Sequence, residues 1–214
     1  MSKRSVSLAL ALLAAGAAAA LAQNLKPIPL PKPQTEGGKP LMQALSERKS
    51  AREFSPEKLP LQVLSNLLWA GFGINRPDGH RTAPSANNVQ EMDIYVATAE
   101  GAYLYDAKAH TLQPVTAEDL RGATGTQAFV REAPLNLVYV SDQAKLKARS
   151  AEDKLLYSGA HAGFIAQNVY LYCASEGLSA VVRALVDRAP LAAALKLRPD
   201  QRITLAQTIG YPKK

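Results

Sequence analysis

Residues 152–177 read EDKLLYSGAHAGFIAQNVYLYCASEG. They form the longest helical stretch in the chain, predicted over 152–176 and ended by Gly177, a residue suited to a helix C-cap. Their side chains are apolar or small nearly all the way round. A helix of that kind is buried on several sides, within its own domain or against a second subunit.

Working outward, LNLVYVSD (135–142) is a continuous apolar run, read as a strand buried on both faces. DIYVATAE (93–100) is a further strand, and 101–115 a hairpin turning near 107–109. Beyond the long helix, 178–187 and 202–212 are strands with a short alanine-rich helix between them. Upstream, 41–49 forms a short amphipathic helix containing Leu41, Met42, Ala44 and Leu45. A second helix, 59–73, has Leu61, Leu64, Leu67 and Leu68 as its buried stripe and ends at Gly71 and Gly73. Pro77, Gly79 and Pro84 break 74–90 into loop. The expected fold is α+β, an antiparallel-rich sheet with strands around a long central helix, in one domain spanning 41–214.

The first residues stand apart. Lys3 and Arg4, an apolar run from Val6 to Ala20, and Ala20-Leu21-Ala22 before Gln23 have the order of a secretory signal peptide cleaved after Ala22. The run is too short and too alanine-rich for a stable membrane anchor. Residues 1–22 are thus read as a signal, giving an exported, periplasmic protein. Residues 23–40 hold five prolines and a glycine pair, and are read as an extended lead segment crossing a surface. Without Lys3 and Arg4 the net charge falls from +7 to +5. That suits an anionic ligand, but no basic block points to nucleic acid. Cys173 is the only cysteine, so no intrachain disulfide forms, and its place in the long helix makes it a buried thiol.

The motifs of hydrolases, metalloproteases and P-loop enzymes are missing. Gly71-Phe72-Gly73 closes a helix rather than following a strand, and Arg76 stands in place of a third glycine, against a dinucleotide fold. His80, His110 and His161 are too scattered for metal-ligand spacing. Tyr157, Tyr170, Tyr172 and Trp69 read as packing residues. RKSAREF (48–54) is more informative. On an extended backbone Arg48, Ser50 and Arg52 face one way and could hold a phosphate or carboxylate with bidentate donors. The alternative is a solvated basic patch paired with Glu47, Glu53 or Glu57.

In order along the chain come Arg48-x-Ser50-x-Arg52-x-Phe54, a helix, Pro84-Ser85-Ala86-x-Asn88-x-Gln90 before a strand, GFIAQNVYLYCASEGLSAVV (163–182) and IGYP (209–212). Together they resemble the FMN-dependent nitroreductase family. The run RTAPSA, followed by DIYVATAEGAYLYD, is most similar to a branch that includes azoline-oxidising dehydrogenases.

The resemblance implies an intertwined homodimer with FMN in a cleft built by both chains. Arg48 and Ser50, with Lys49 between them, match positions holding the phosphate, and Arg52 one near the pyrimidine edge of the flavin. A cation there stabilises the reduced ring. Pro84, Ser85, Ala86 and Asn88 match the segment the partner lays against the flavin, with Gln90 pinning the loop. Ala86 lacks a hydroxyl that many relatives carry. Glu176, Gly177 and Leu178 match the turn facing the isoalloxazine, where a backbone N–H reaches N5. Lys213 and Lys214 stand where a further phosphate cation is expected. The implied activity is two-electron hydride transfer at flavin N5, with nitroaromatics, quinones or similar small molecules as acceptors. Export leaves the electron donor open, because nicotinamide donors are cytoplasmic. Flavin binding without turnover, or a dehydrogenase or oxidase acting on a substrate hydride, are the alternatives.

Overall fold

The computed structural model describes residues 25–147 and 150–213. The signal-peptide reading of 1–22 and the role expected of Lys214 fall outside them.

The sheet is built around LNLVYVSD. This strand, β5 (Leu135–Asp142), is buried at all eight positions, the polar Asn136, Ser141 and Asp142 included. The order is β1 (Ile28–Pro29), β4 (Thr111–Thr116), β3 (Gly101–Asp106), β2 (Met92–Thr98), β5, β7 (Gln201–Gly210) and β6 (Ser179–Arg183). Every neighbouring pair is antiparallel. Because side chains alternate across a strand, β5 feeds two cores. Leu135, Leu137 and Tyr139 pack with the helices α2 (Leu61–Phe72) and α4 (Ala151–Glu176). Val138 and Val140 pack the other way, with Leu120 and with Leu191 of α5 (Arg188–Ala194). The remaining helices are α1 (Leu41–Glu47) and the one-turn α3 (Phe129–Glu132).

The long helix starts and stops where its sequence dictates. Ser150 caps it by accepting the N–H of Asp153 at 3.0 Å, and Glu152 and Asp153 place negative charge in its first turn. Gly177 ends it in the left-handed region at φ 70°. Ser158, His161, Ala162, Ile165, Ala166, Val169, Tyr170 and Cys173 make its buried stripe. Gly71 of α2 lets the helices approach closely, since a Cβ there would stand 3.0 Å from Val169.

Three sequence expectations need correction. The lead segment is extended but belongs to the domain: β1 pairs with the sheet edge, and Leu30 is buried in the core. Pro29 within this short edge strand and Pro27 before it cost little there, because no neighbour needs their missing N–H. The stripe of α2 omits Leu61, which is exposed, and Trp69 is only half-buried, its indole N–H donating to the Ile74 carbonyl at 3.0 Å. On α1 only Ala44 is buried, while Leu41, Met42 and Leu45 face outward. A second uncovered apolar set, Leu155, Leu156, Tyr157 and Phe164, lies on α4. Among the described residues no helix is long and apolar enough to cross a membrane.

Candidate functional site

The stretch 48–52 leaves α1 in extended form and joins the free edge of β6, where the Ala51 N–H donates to the Ala180 carbonyl at 2.9 Å. Phe54 then bridges to Pro212, and the Ser55 N–H reaches the Tyr211 carbonyl. An extended chain alternates its side chains, and the contacts follow suit. Arg48 and Ser50 both meet Tyr170: the guanidinium lies over the ring at 5.3 Å, and Ser50 Oγ is 2.8 Å from the phenol oxygen. Lys49 and Ala51 line a cleft of about 430 Å³ together with Tyr170, Cys173, Gly177, Leu178 and Ala180. Arg52 is exposed.

The basic patch is not neutralised. Glu47 is taken by Lys39, which holds its carboxyl below the usual range through a hydrogen bond, and no acidic side chain among the described residues pairs with Arg48, Lys49 or Arg52. Of the three cations within five residues Lys49 lines the cleft, beside the paired Lys39 and Glu47, while Arg48 and Arg52 stand next to it without carboxylate partners, and the guanidiniums offer forked donors.

The opposite wall is the end of α4. Gly177 points no neighbour's atoms at the space a Cβ would fill, so its glycine serves the left-handed backbone. The N–H groups of Gly177 and Leu178 both donate to the Cys173 carbonyl, the latter at 2.8 Å. The backbone donor expected of this turn is thus already engaged within the helix terminus. Glu176 and Lys213 line a second cleft, of about 460 Å³, that shares Gly177 and Pro212 with the first. Cys173 is buried, and burial pushes its thiol well above the usual range, which suits an inert packing residue.

The segment 84–90 sits elsewhere. Pro84 is exposed, Ser85 Oγ accepts the Gln90 N–H at 3.0 Å, and the Ala86 N–H donates to His161 Nε2 at 2.9 Å. Asn88 accepts from the Gln90 amide, whose nitrogen also reaches the Gly79 carbonyl, while its oxygen accepts from Arg81. Gln90 does pin the loop. His161 and Tyr170 are nine residues apart on α4, roughly 13 Å and two and a half turns. Within one chain the two sets of residues therefore meet opposite sides of the helix at different heights. The structure brings Lys49, Gly177 and Leu178 to one cleft, with Arg48 and Ser50 beside it on Tyr170, a residue of its wall, and Ser85, Ala86 and Asn88 to another place.

Reading the sequence missed Tyr170 as the post to which Arg48 and Ser50 are tied. It also missed the buried pair of Glu91 and His161 beneath Ala86. No local motif marks either contact, because each joins segments far apart in the chain.

Residues 45–211 match the family described as the Nitroreductase family. The chain belongs to it. A nitroreductase-family crystal structure from Ralstonia eutropha is 45% identical and superposes with a TM-score of 0.85, covering 89% of this chain and 91% of that one. A protein of Methanocaldococcus jannaschii assigned as a nitroreductase is 30% identical over 151 residues, 66% of this chain and 76% of its own. A family member from Desulfovibrio desulfuricans, solved in complex with FMN, is 23% identical with a TM-score of 0.60 over 83% of this chain and 89% of its own. That last likeness speaks for the nitroreductase fold.

Proposed function

We propose that this nitroreductase-family chain is an exported flavin oxidoreductase that binds FMN as a homodimer and moves two electrons, as hydride, to or from a small molecule. The observation that carries the reading is the uncompensated set of Arg48, Lys49 and Arg52 beside a cleft closed by the Gly177–Leu178 turn.

The residues fit the group. A phosphate dianion needs cations that no carboxylate has taken, which Arg48 and Lys49 provide, and Ser50 adds a hydroxyl. An aromatic ring system needs a smooth apolar wall, and Leu178, Ala180 and Cys173 line one. FMN bound there would supply hydride chemistry at N5. Arg52 would stabilise negative charge on the pyrimidine side of the ring, favouring its reduced form. Lys213 stands at the adjoining cleft, able to add charge to the phosphate end. Nitroaromatics, quinones or similar flat acceptors are the substrate class the family supports.

The separation of the two half-sites favours a second copy of the chain. Ser85 and Asn88 cannot reach the Arg48 cleft of their own chain from the far side of α4, but could complete a partner's. The outward apolar residues of α1 and α4, Met42 at 75% exposed and Leu156 at 66%, offer the surface such a partner would cover. Export rests on the order of residues 1–22, and it implies an electron donor other than cytoplasmic nicotinamides and FMN acquired after translocation.

One observation favours a second reading, flavin binding without turnover: the N–H donors of Gly177 and Leu178 are spent on Cys173. The test is a visible spectrum of residues 23–214 purified with FMN and desalted, with light scattering in parallel. Retained flavin on a dimer, bleached by an added quinol or dithiol donor, supports the enzyme. Retained flavin that no donor reduces supports the binding protein. Colourless protein that leaves FMN fluorescence unquenched refutes both.

A further inference from the structure

The turn 85–90 is held in an unfavourable backbone form. Asn87, Asn88 and Gln90 have φ of 51°, 53° and 49°, three left-handed residues of which none is glycine. Such a conformation is unfavourable for any residue with a Cβ, least so for asparagine, and clusters of this kind persist only where surrounding structure imposes them. Most of the ties are local, between the turn and its own loop: the Ser85 hydroxyl, the Gln90 amide and Arg81. One tie runs into the core, from the Ala86 N–H to Nε2 of His161.

His161 is 3% exposed and its Nδ1 lies 2.7 Å from Oε1 of Glu91, which is 0% exposed. The ring stacks beside Tyr157 at 6.0 Å and meets Phe164 at 6.3 Å. Nε2 accepts a hydrogen bond, so the proton of the neutral ring is on Nδ1, where it donates to Glu91. The Ala86 N–H disfavours the other tautomer, which would set an N–H against it, and the Glu91 carboxylate adds an acceptor that only the Nδ1–H form can use. Glu91 is itself fixed by its backbone, its carbonyl accepting the Asp142 N–H at 3.0 Å. Its second oxygen, Oε2, is buried without a hydrogen-bond partner among the described residues. A buried acid with an unpaired oxygen destabilises a fold, and apolar residues in its place are often neutral or better. Packing therefore gives no reason for this pair.

We propose that Glu91 and His161 are positioning residues for flavin binding: Glu91 favours the Nδ1–H tautomer of His161, which latches Ala86 and so holds Ser85 and Asn88 in the form that meets FMN. The inference rests on the FMN reading above. It predicts that the turn is set before flavin arrives, so that binding does not have to order it.

Three measurements test it. In flavin-free protein labelled with nitrogen-15 at histidine, His161 should show a protonated Nδ1 and an unprotonated Nε2 at neutral pH; the reverse tautomer overturns the latch. His161→Gln keeps an acceptor for Ala86 and a donor for Glu91, whereas His161→Phe keeps only bulk. The phenylalanine variant should bind FMN roughly ten-fold more weakly, the loss of one or so kcal/mol from a hydrogen bond, with faster amide exchange at residues 86–90 and unchanged exchange in β5. The glutamine variant should stay near wild type. Should His161→Phe not fold, Ala86→Pro removes the same bond from the loop side, since Ser85 is already extended (φ −140°, ψ 153°) as a pre-proline residue must be. Equal FMN affinity in wild type and Phe or Pro variants overturns the latch alone. Equal damage from Gln and Phe reduces His161 to a packing residue. Wild-type protein that binds no FMN refutes the cofactor reading instead, whatever the tautomer.

Discussion

The hydroxyl of Tyr170 stands 2.8 Å from Oγ of Ser50 and accepts the N–H of Val182 at 2.7 Å. One phenol thus ties the extended stretch 48–52 to the outer side of the edge strand β6, with Arg48 lying across its ring. Tyr170→Phe keeps the packing and deletes both bonds. The variant should unfold at lower denaturant, by about 1–2 kcal/mol for an edge N–H and a hydroxyl left without their partner. It should also bind FMN several-fold more weakly, because Ser50 is no longer placed. A variant that loses stability but keeps its FMN affinity would make Tyr170 a purely structural post.

The charges at the same cleft make a separate prediction. Arg48→Ala should weaken FMN at least ten-fold, since a charge-assisted bond to phosphate contributes about 1.5–3 kcal/mol. Arg48→Lys should recover only part of that, because an ammonium cannot fork onto two oxygens or stack on Tyr170 as a guanidinium does. Riboflavin, which lacks the phosphate, should bind wild type and Arg48→Ala alike. Equal loss of riboflavin and FMN would place Arg48 at the ring and not at the phosphate.

The sequence carries the elements of this fold far better than its site. The runs 135–142 and 152–177 announce a buried strand and a helix because periodicity and a terminal glycine are local signals, and the structure returns Leu135–Asp142 and Ala151–Glu176. The polar stretch 84–90 and the alternation of Arg48, Ser50 and Arg52 were visible too. What binds them was not. Tyr170 and His161 lie on the same apolar helix, and their polar atoms are spoken for by residues 120 and 75 positions away. Glu91 follows Gln90 as one more surface-looking acid, yet it is fully buried. The lead segment is only partly legible for a similar reason. Prolines mark it as extended, but only the distant partners Ser65 and His110 show that it is bolted to the domain.

The uncovered apolar residues predict an interface. Leu156→Glu with Phe164→Lys, on the exposed face of α4, should leave each chain folded, since neither side chain belongs to its core. If a second copy covers that face, light scattering should show monomers, and FMN should be lost in the same preparation. Both losses are expected together because a monomer retains the Arg48 cleft but not the partner's Ser85 and Asn88. A soluble monomer that keeps its flavin would contradict the shared site.

The last prediction concerns the clamp on the lead segment. Ser65 of α2 donates to the Pro31 carbonyl and stands 2.7 Å from Nε2 of His110, while the Tyr105 hydroxyl is 3.0 Å from Nδ1. The Leu30 N–H meets the His110 carbonyl at 3.1 Å. Since Ser65 spends its proton on Pro31, its oxygen accepts from Nε2–H, and Tyr105 donates to Nδ1. The ring is therefore needed neutral. Burial holds its pKa below the ordinary 6.5, against a smaller opposing pull from the Pro31 carbonyl. Because the unfolded chain takes up this proton more readily, the clamp's contribution is complete above pH 6.5 and falls as the medium is acidified below it. Chemical denaturation between pH 7.5 and 5 should show that decline. His110→Asn tolerates the left-handed backbone at this position, φ 50°, and removes the titrating ring. It should be less stable at pH 7.5, by about 1–2 kcal/mol, and its stability should fall less steeply with acid. Equal slopes in wild type and variant would assign the acid sensitivity to other groups and leave His110 as a clamp without titration.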